Sequence, residues 1–220
     1  MYDAIIVGGG PAGSSAALYA KQYGLKTIVL EKAVFPRDKI CGDALSGKCI
    51  RIMRELDLLK EIENLDGADI NRITFGSPSY KQFDLDLKKS NKKGYVIPRL
   101  IFDNYLFQKV KSVSDTQENF IVKDLIYKNG KINGIVGKNK DGYDERIEAP
   151  VVIGADGANS IVARKSGLYE MDMENTSIAI RCYYSGVKGL SDQIELHYIK
   201  EVNPGYFWLF PIGGGKANIG

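Results

Sequence analysis

The stretch AIIVGGGPAG, residues 4–13, decides the fold of this 220-residue chain. Its apolar residues predict a buried strand, and the glycines that follow turn the chain into a helix predicted over residues 14–23. A second apolar strand, predicted over residues 25–30, ends at Glu31. This order of strand, glycine turn, helix and strand is typical of a βαβ unit.

The glycine turn has the spacing of a dinucleotide-binding site. Gly8 permits the tight turn, Gly10 lets the backbone approach a pyrophosphate, and Gly13 lets the helix lie close to the strand. The helix N-terminus faces the anion, and Glu31 is placed to bond ribose hydroxyls. These features predict a dinucleotide site, and they leave open whether the nucleotide is FAD or NAD.

A second glycine-rich stretch, GDALSGK at residues 42–48, has the glycine–lysine spacing of a phosphate-binding P-loop. A true P-loop follows a strand directly and places Ser or Thr after its lysine to hold magnesium. Here the segment FPRDK comes shortly before the stretch, and Cys49 stands where the hydroxyl is needed. The match is therefore interpreted as accidental, and no metal site is predicted.

Hydrophobic periodicity predicts the remaining elements. Helices are expected over residues 44–59 and 100–113, and strands within residues 70–87, around Ile121, Ile135 and Ile147, over 151–153, and from about Met171 onward. The predicted fold is α/β: a Rossmann-like domain with a three-stranded β-meander, plus a β-rich domain. The cofactor domain is expected to comprise residues 1–65 and 95–170, and the substrate domain residues 66–94 and 171–220.

Composition excludes several classes of protein. A net charge of +3 is too small to indicate nucleic-acid binding, and no nucleic-acid motif accompanies it. The three cysteines form no metal-type CxxC pair, which favours a reducing compartment. The sequence has no apolar run long enough to span a membrane and no recognisable signal peptide. A cytoplasmic location is therefore expected.

Four motifs in the same order as in a known family resemble the geranylgeranyl reductases, flavoproteins of the wider p-hydroxybenzoate hydroxylase-like group. They are FPRDKICG at 35–42, YVIPRLIFDNYL at 95–106, GADGANS at 154–160 followed by Arg164, and PGYFWLFP at 204–211. The resemblance spans nearly the whole chain. It implies FAD as the cofactor and reduction of carbon–carbon double bonds in an isoprenoid chain by hydride transfer from reduced flavin. It also implies a prenyl or prenyl-lipid substrate, with NAD(P)H or a small redox protein as electron donor.

The resemblance also assigns roles to residues. The expected cofactor-binding residues are Gly8, Gly10, Pro11, Ala12, Gly13, Glu31, Lys32, Cys41, Gly42, Asp43, Ala44, Arg99, Asp156 and Gly157. No catalytic residue is assigned outright, and the candidates lining the flavin or substrate pocket are Cys41, Tyr206 and Trp208.

Several of these residues also have an alternative interpretation. Cys41 is either merely packed, a non-covalent wall that touches flavin or substrate, or a reactive thiolate, and the non-covalent wall is expected. Arg99 is a surface cation if it does not pair with a phosphate, and Asp156 is a helix cap if it does not face the cofactor. The alternating aromatic residues of 206–210 form either core or pocket wall.

Two further features carry weaker interpretations. The only histidine, His197, is expected to be structural rather than a general acid. The lysines Lys88, Lys89, Lys92 and Lys93 are expected to form a solvated turn, with contact to anionic lipid or to an isoprenoid pyrophosphate as the alternative.

The functional alternatives are a flavin monooxygenase or halogenase of the same fold, and a non-catalytic flavin- or lipid-binding protein. The sequence ends within an expected strand, so the chain is interpreted as a truncated product. Such a fragment is expected to bind FAD weakly and to lack turnover.

Overall fold

The structure of the protein, a computed structural model, describes residues 1–90, 93–170 and 172–220. Its helices are α1 (Pro11–Gln22), α2 (Gly47–Glu55), α3 (Leu59–Ile62), α4 (Arg99–Lys111) and α5 (Ile161–Lys165). Its strands are β1 (Ala4–Val7), β2 (Thr27–Leu30), β3 (Ala44–Leu45), β4 (Ala68–Ile70), β5 (Arg72–Gly76), β6 (Gln82–Asp86), β7 (Gly94–Val96), β8 (Asp115–Gln117), β9 (Ile121–Lys128), β10 (Lys131–Lys138), β11 (Asp144–Glu148), β12 (Val151–Gly154), β13 (Cys182–Ser185), β14 (Gln193–His197), β15 (Phe207–Pro211) and β16 (Lys216–Ile219). Short 3-10 turns cover Lys88–Ser90 and Lys200–Val202.

The chain divides into two compact units. The first comprises Met1–Arg37 with Asp103–Thr176, and the second comprises Asp38–Phe102 with Ser177–Gly220. Two segments that the sequence analysis assigned to the cofactor domain, residues 38–65 and 95–102, lie in the second unit. Met171, where the expected substrate domain resumes, is outside the described residues. The assignment of functions to the two domains therefore stays a prediction.

The first unit is built on a parallel sheet in the order β12-β1-β2-β8. All residues of β1 and β2 are buried, because both strands lie inside the sheet and carry uninterrupted apolar side chains. Ile5 lies opposite Val152 on one side and Ile28 on the other. This is the predicted βαβ unit, and the parallel sheet brings the ends of β1, β2 and β12 to one edge.

The two faces of this sheet are covered by different elements. On one face, Ile5 and Ile28 belong to a core cluster that includes Ile135 and Ile147 of the meander. On the other face, Ile6 belongs to a cluster with Phe107 of α4, together with residues of α1. Because adjacent side chains of β1 point to opposite faces, Ile5 packs toward the meander and Ile6 toward the helices, so the sheet lies between these two layers.

The three-stranded meander predicted by the sequence is confirmed, with strand order β11-β10-β9. The first of its turns contains Asn129 and Gly130, both with positive φ angles of 52° and 73°. Asn and Gly tolerate this left-handed conformation better than other residues, which is why the dipeptide marked the turn.

The second unit contains a six-stranded sheet in the order β13-β16-β15-β14-β5-β6 and a three-stranded sheet in the order β3-β7-β4. In the larger sheet β14 and β5 are parallel, and the other neighbouring strands are antiparallel. The hydrophobic core of the second unit includes Ile70 and Val96 of the three-stranded sheet and Trp208 and Phe210 of the six-stranded sheet. The predicted α/β class with a β-rich second part is therefore confirmed.

The helix predicted over residues 44–59 is wrong at both ends. Ala44 and Leu45 pair with β7 as a short strand, and α2 ends at Glu55. Asp57 then takes a positive φ of 56°, which an α-helix cannot contain, and α3 begins a new turn. The apolar period continued across this break, so the sequence pattern did not reveal it.

Candidate functional site

The glycine turn after β1 is packed too tightly for any other residue at two positions. Gly8 has φ +104°, and a Cβ atom there would overlap the backbone carbonyl of Ala155. A Cβ atom on Gly13 would overlap the carbonyl oxygen of Gly8. Gly13 thus lets the first turn of α1 lie directly against the end of β1, as the fingerprint predicts.

Glu31, which follows β2, accepts hydrogen bonds from the backbone of this turn and of the next residues of its own segment. Its Oε2 accepts a hydrogen bond from the backbone N–H of Gly9 at 2.8 Å, and its Oε1 accepts one from Ala33 at 2.9 Å. The side chain is buried, so both bonds are shielded from water. Sequence reasoning placed Glu31 at this edge but missed its bond to the glycine turn. Contact with a ribose stays a prediction.

The start of α1 is arranged as an anion-binding site would require. Gly10 is the N-cap and Pro11 follows it, and no described side chain caps the helix. The first-turn amides are therefore available to a phosphate. Ala12 and Lys32 are exposed at this edge, so their predicted cofactor contacts are sterically open.

Asp156 follows β12 and caps the start of α5. Its Oδ1 accepts a hydrogen bond from the Ser160 hydroxyl at 2.5 Å, and its Oδ2 accepts one from the backbone N–H of Ile161 at 2.6 Å. Gly157 is exposed with φ +83°, which favours glycine. The contacts correspond to the helix-cap interpretation, and the predicted cofactor roles of Asp156 and Gly157 stay predictions.

A buried ion pair that sequence reasoning missed holds the segment after β2. The Arg37 guanidinium donates to the carboxylate of Asp103 at 2.5 Å, and the Asp103 side chain is fully buried. Arg37 also lies over the ring of Phe35, which stacks on Phe107 with ring centroids 4.3 Å apart. The FPRDK motif and the YVIPRLIFDNYL motif each supplied one member of the pair, but neither pattern indicated the partner.

Asp43, in the second unit, is a buried carboxylate within a polar network. Its Oδ2 accepts hydrogen bonds from the Tyr183 hydroxyl at 2.6 Å and from the Asn218 amide at 2.7 Å. Burial raises the pKa of Asp43 above its usual range, and the hydrogen bonds from Tyr183 and Asn218 offset part of that effect. The sequence predicted a cofactor contact for Asp43 and did not identify Tyr183 or Asn218.

The residues around Asp43 differ in exposure. Cys41 is half-buried and its carbonyl accepts a hydrogen bond from the Asn218 amide at 2.8 Å. Gly42 lies so close to Phe210 that a Cβ atom there would be 2.8 Å from the ring. Ala44 is exposed. For all three, contact with the cofactor stays a prediction.

Arg99 begins α4 and is half-buried. Its backbone N–H lies 3.4 Å from Oδ1 of Asp43, at the long limit of a hydrogen bond. Burial raises the pKa of the nearby Cys49 thiol, and the Arg99 charge offsets part of this. The predicted pairing of Arg99 with a phosphate stays a prediction.

The aromatic residues of the PGYFWLFP motif are not equivalent. Tyr206 is 45% exposed, whereas Trp208 and Phe210 are buried in the core of the second unit. The indole N–H of Trp208 donates to the Asn218 side-chain oxygen at 2.9 Å. His197 lies 2.8 Å from Glu195 on the same strand, a contact typical of a structural histidine.

The second unit also contains a cavity of about 570 Å³. Its apolar wall comes from α2, the two sheets and the segment after β6, and includes Ile50, Ile70, Ile73, Leu87 and Ile194. Tyr206, Trp208 and Cys41 are not among its lining residues. The predicted placement of those side chains at a substrate pocket remains untested.

Two polar side chains that line this cavity, Tyr95 and Lys93, have partners. Tyr95 donates its hydroxyl proton to Glu63 at 2.5 Å, and Lys93 lies 2.9 Å from Asp69. Burial is the largest cause of a raised pKa for Tyr95, and the Glu63 carboxylate adds to it. The phenol therefore remains protonated and donates to Glu63 at neutral pH.

The predicted lysine turn is only partly described. Lys88 and Lys89 are exposed, and Lys88 lies 3.6 Å from Asp192. Lys92 is outside the described residues. In the described ranges, no helix combines the length and apolar character needed to cross a membrane, and no cluster of His, Cys, Asp or Glu suited to a metal occurs.

Comparison with known proteins places these features in a family. The sequence profile of the family described as FAD binding domain matches residues 1–212. The chain is 32% identical over 225 residues to a digeranylgeranylglycerophospholipid reductase of Thermoplasma acidophilum, with 100% of this chain and 56% of that protein covered. It is 29% identical over 228 residues to a 1H-pyrrole-2-carbonyl-(peptidyl-carrier protein) brominase of Pseudoalteromonas luteoviolacea, covering 100% of this chain and 54% of the brominase.

Solved structures of similar fold match the chain over almost its whole length. A geranylgeranyl bacteriochlorophyll reductase-like protein from Thermoplasma acidophilum matches with a TM-score of 0.83 and 30% identity, covering 99% of this chain and 55% of that one. A myxobacterial FAD-dependent halogenase matches with a TM-score of 0.84 over 99% of this chain and 52% of that one, but its 20% identity indicates the fold alone. The chain spans about half the length of the curated relatives it matches.

Proposed function

The chain belongs to the family of FAD-binding domains, and from this premise we propose that it is part of an oxidoreductase that reduces carbon–carbon double bonds in an isoprenoid chain. FAD is the cofactor that the family implies. The prenyl or prenyl-lipid substrate is proposed because relatives about 30% identical over this whole chain are named as digeranylgeranylglycerophospholipid reductases.

The residues of the first unit fit an FAD molecule. The turn at Gly8 and Gly13 allows only glycine, and the uncapped start of α1 offers amide donors to a pyrophosphate. Glu31 has further acceptor capacity on both oxygens for a ribose hydroxyl, since a carboxylate can accept about four hydrogen bonds. We assign the remaining predicted contacts, from Arg99 and Asp156 among others, as proposals on the family resemblance.

The observation that carries the substrate class is the apolar cavity of the second unit. Its volume of about 570 Å³ lies within the roughly 300–1,000 Å³ typical of ligand pockets. Ile50, Ile73 and Ile194 contribute aliphatic wall, which suits a hydrocarbon chain better than a polar aromatic substrate. The cavity lining carries charges of both signs, Arg54 and Lys93 against Glu63, and Lys93 also lies 2.9 Å from Asp69. Because these opposite charges offset one another, we propose a neutral hydrocarbon chain as the occupant.

When bound and reduced, FAD supplies a hydride for the alkene. The contribution of this chain is to bind the prenyl group, to orient one double bond and to exclude water. The half-buried Cys41 is proposed as a non-covalent wall of the reaction site. The electron donor is proposed to be NAD(P)H or a small redox protein.

A second candidate, an FAD-dependent halogenase or monooxygenase, is favoured by the brominase relative at 29% identity. The two functions differ in their need for oxygen. An anaerobic assay with dithionite-reduced FAD and a geranylgeranyl lipid should oxidise the flavin and saturate the lipid if the protein is a reductase. Flavin reoxidation that requires oxygen and leaves the lipid unchanged would contradict the reductase proposal and support the alternative.

The cavity itself can be tested with a matched pair of variants. Leu87 lines the cavity, whereas Leu85 is exposed and is not among its lining residues. Leu87→Trp should weaken binding of a fluorescent prenyl analogue, because the larger ring fills part of the space, and Leu85→Trp should not. Equal binding by both variants would place the substrate elsewhere. Tight binding of the analogue without any turnover would support the remaining alternative, a non-catalytic flavin- or lipid-binding protein.

A further inference from the structure

We propose that Asn218, Tyr183 and Arg181 are positioning residues that hold the segment Asp38–Asp43 against the six-stranded sheet. The proposal builds on the proposed function, in which this segment carries Cys41 and Gly42 at the reaction site. No sequence motif pointed to any of the three residues, and they lie more than a hundred residues after the segment that they hold.

Asn218 is the centre of the arrangement. It is fully buried on β16, and its amide nitrogen donates both to the Cys41 carbonyl at 2.8 Å and to the Asp43 carboxylate at 2.7 Å. Its side-chain oxygen accepts the indole N–H of Trp208 at 2.9 Å. The two donors and the acceptor of one amide group therefore all have partners, which also fixes the orientation of that amide.

Tyr183 secures the same segment from β13. Its hydroxyl donates to Oδ2 of Asp43 at 2.6 Å, the acceptor atom that it shares with Asn218. Asp43 has φ +66°, a left-handed conformation that is uncommon for a residue other than glycine. Such a conformation persists when surrounding contacts hold it, and Tyr183 and Asn218 supply those contacts.

Arg181 holds the beginning of the segment. Its guanidinium donates to both carboxylate oxygens of Asp38 at 2.9 Å and to the carbonyl of Lys39 at 3.2 Å. The side chain is only 6% exposed and stacks over the Tyr183 ring at 4.1 Å. Arg181 and Tyr183 thus lie against each other and reach opposite ends of the segment Asp38–Asp43.

This network assigns a different role to Trp208 from the one that its motif suggested. Because its indole N–H is bonded to Asn218, Trp208 supports the amide that holds Cys41, and its N–H is not available to a ligand. Gly42, the residue after Cys41, also approaches the Phe210 ring of β15 so closely that a Cβ atom there would lie 2.8 Å from it. The geometry therefore couples the aromatic strand β15 to the segment that carries Cys41.

The test measures the mobility of the segment directly, without substrate. We would prepare Asn218→Ala and Tyr183→Phe, with Tyr184→Phe as the matched control, since Tyr184 is the exposed next residue of the same strand. Iodoacetamide labelling followed by peptide mass mapping gives the alkylation rate of Cys41 relative to Cys49. Hydrogen exchange of peptides covering residues 38–46 gives a second measure.

Loss of a hydrogen bond to a charged group should raise local opening on the order of tenfold, so Cys41 labelling and exchange of the segment should rise by about that factor in both test variants. The control should stay near the wild-type rate. Unchanged labelling and exchange in folded Tyr183→Phe and Asn218→Ala would overturn the proposal. If Asn218→Ala does not fold, Tyr183→Phe decides alone, because it removes only one hydroxyl group. A failed reductase assay with wild-type protein would refute the proposed function and leave this result unaffected.

Discussion

Replacing Gly13 with alanine would place a methyl group inside the contact between α1 and the end of β1. The new Cβ atom would overlap the carbonyl oxygen of Gly8 and would lie 3.0 Å from its carbonyl carbon and 3.2 Å from a methyl group of Ile6. Two of these three atoms belong to backbone, so a rotamer change cannot relieve the overlap. The helix has to move away from the strand.

The magnitude follows from two opposing effects. Overpacking of a tight contact costs about 1–3 kcal/mol, and the overlap with backbone favours the upper part of that range. Alanine recovers up to about 1 kcal/mol because it is a better helix former than glycine. We therefore expect Gly13→Ala to lower the free energy of unfolding by about 2 kcal/mol, or the melting temperature by roughly 4–8 °C for a chain of this size.

Gly47→Ala is the matched control. Gly47 begins α2, and no heavy atom lies within 4 Å of the position of its Cβ, so the same substitution there meets open space. Urea unfolding and FAD titration should show loss of stability and at least about tenfold weaker FAD binding in Gly13→Ala only, because the displaced helix start carries the phosphate donors. Wild-type stability and FAD affinity in Gly13→Ala would refute the reasoning about this contact.

Three further predictions test other parts of the structure. Asp103→Asn breaks the buried ion pair of the first unit and should lower the free energy of unfolding in urea by about 3 kcal/mol. Asp124→Asn, at an exposed ion pair, should lower it by less than about 1 kcal/mol. Equal losses in the two variants would contradict the burial argument. The pKa of Asp43 is raised by burial, so its contribution to stability is greatest below its unfolded-state pKa of about 4 and falls as pH rises through the higher folded-state value. The stability of wild type relative to Asp43→Asn should therefore decrease from acidic to neutral pH in urea titrations, and an increase would contradict the assigned direction. Burial raises the pKa of the Cys49 thiol, so iodoacetamide at mildly alkaline pH should label Cys49 more slowly than the exposed Cys182, and faster labelling of Cys49 would refute this.

The sequence alone determined the features that depend on neighbouring residues. The strand, glycine turn and helix of residues 4–22 were predictable because Gly8 and Gly13 occupy positions where a Cβ atom would overlap backbone. The meander was predictable because Asn129 and Gly130 adopt positive φ angles in a short turn. In both cases the signal lies in residue types within a few positions of one another.

Only the tertiary structure decided which distant side chains meet. Arg37 and Asp103 are separated by 66 residues, and Asp43 and Asn218 by 175, so no local periodicity records either pair. Glu31 was placed correctly at its sheet edge, but its bond to Gly9 depends on how β2 lies beside the glycine turn. The aromatic residues that alternate along the strand of Trp208 are equally consistent with a core and with a pocket wall. Only the pairing of β15 with β16 shows that Trp208 is bonded to Asn218. Hydrogen bonds and ion pairs between remote residues depend on how whole helices and strands pack together. Local sequence patterns carry no information about that packing.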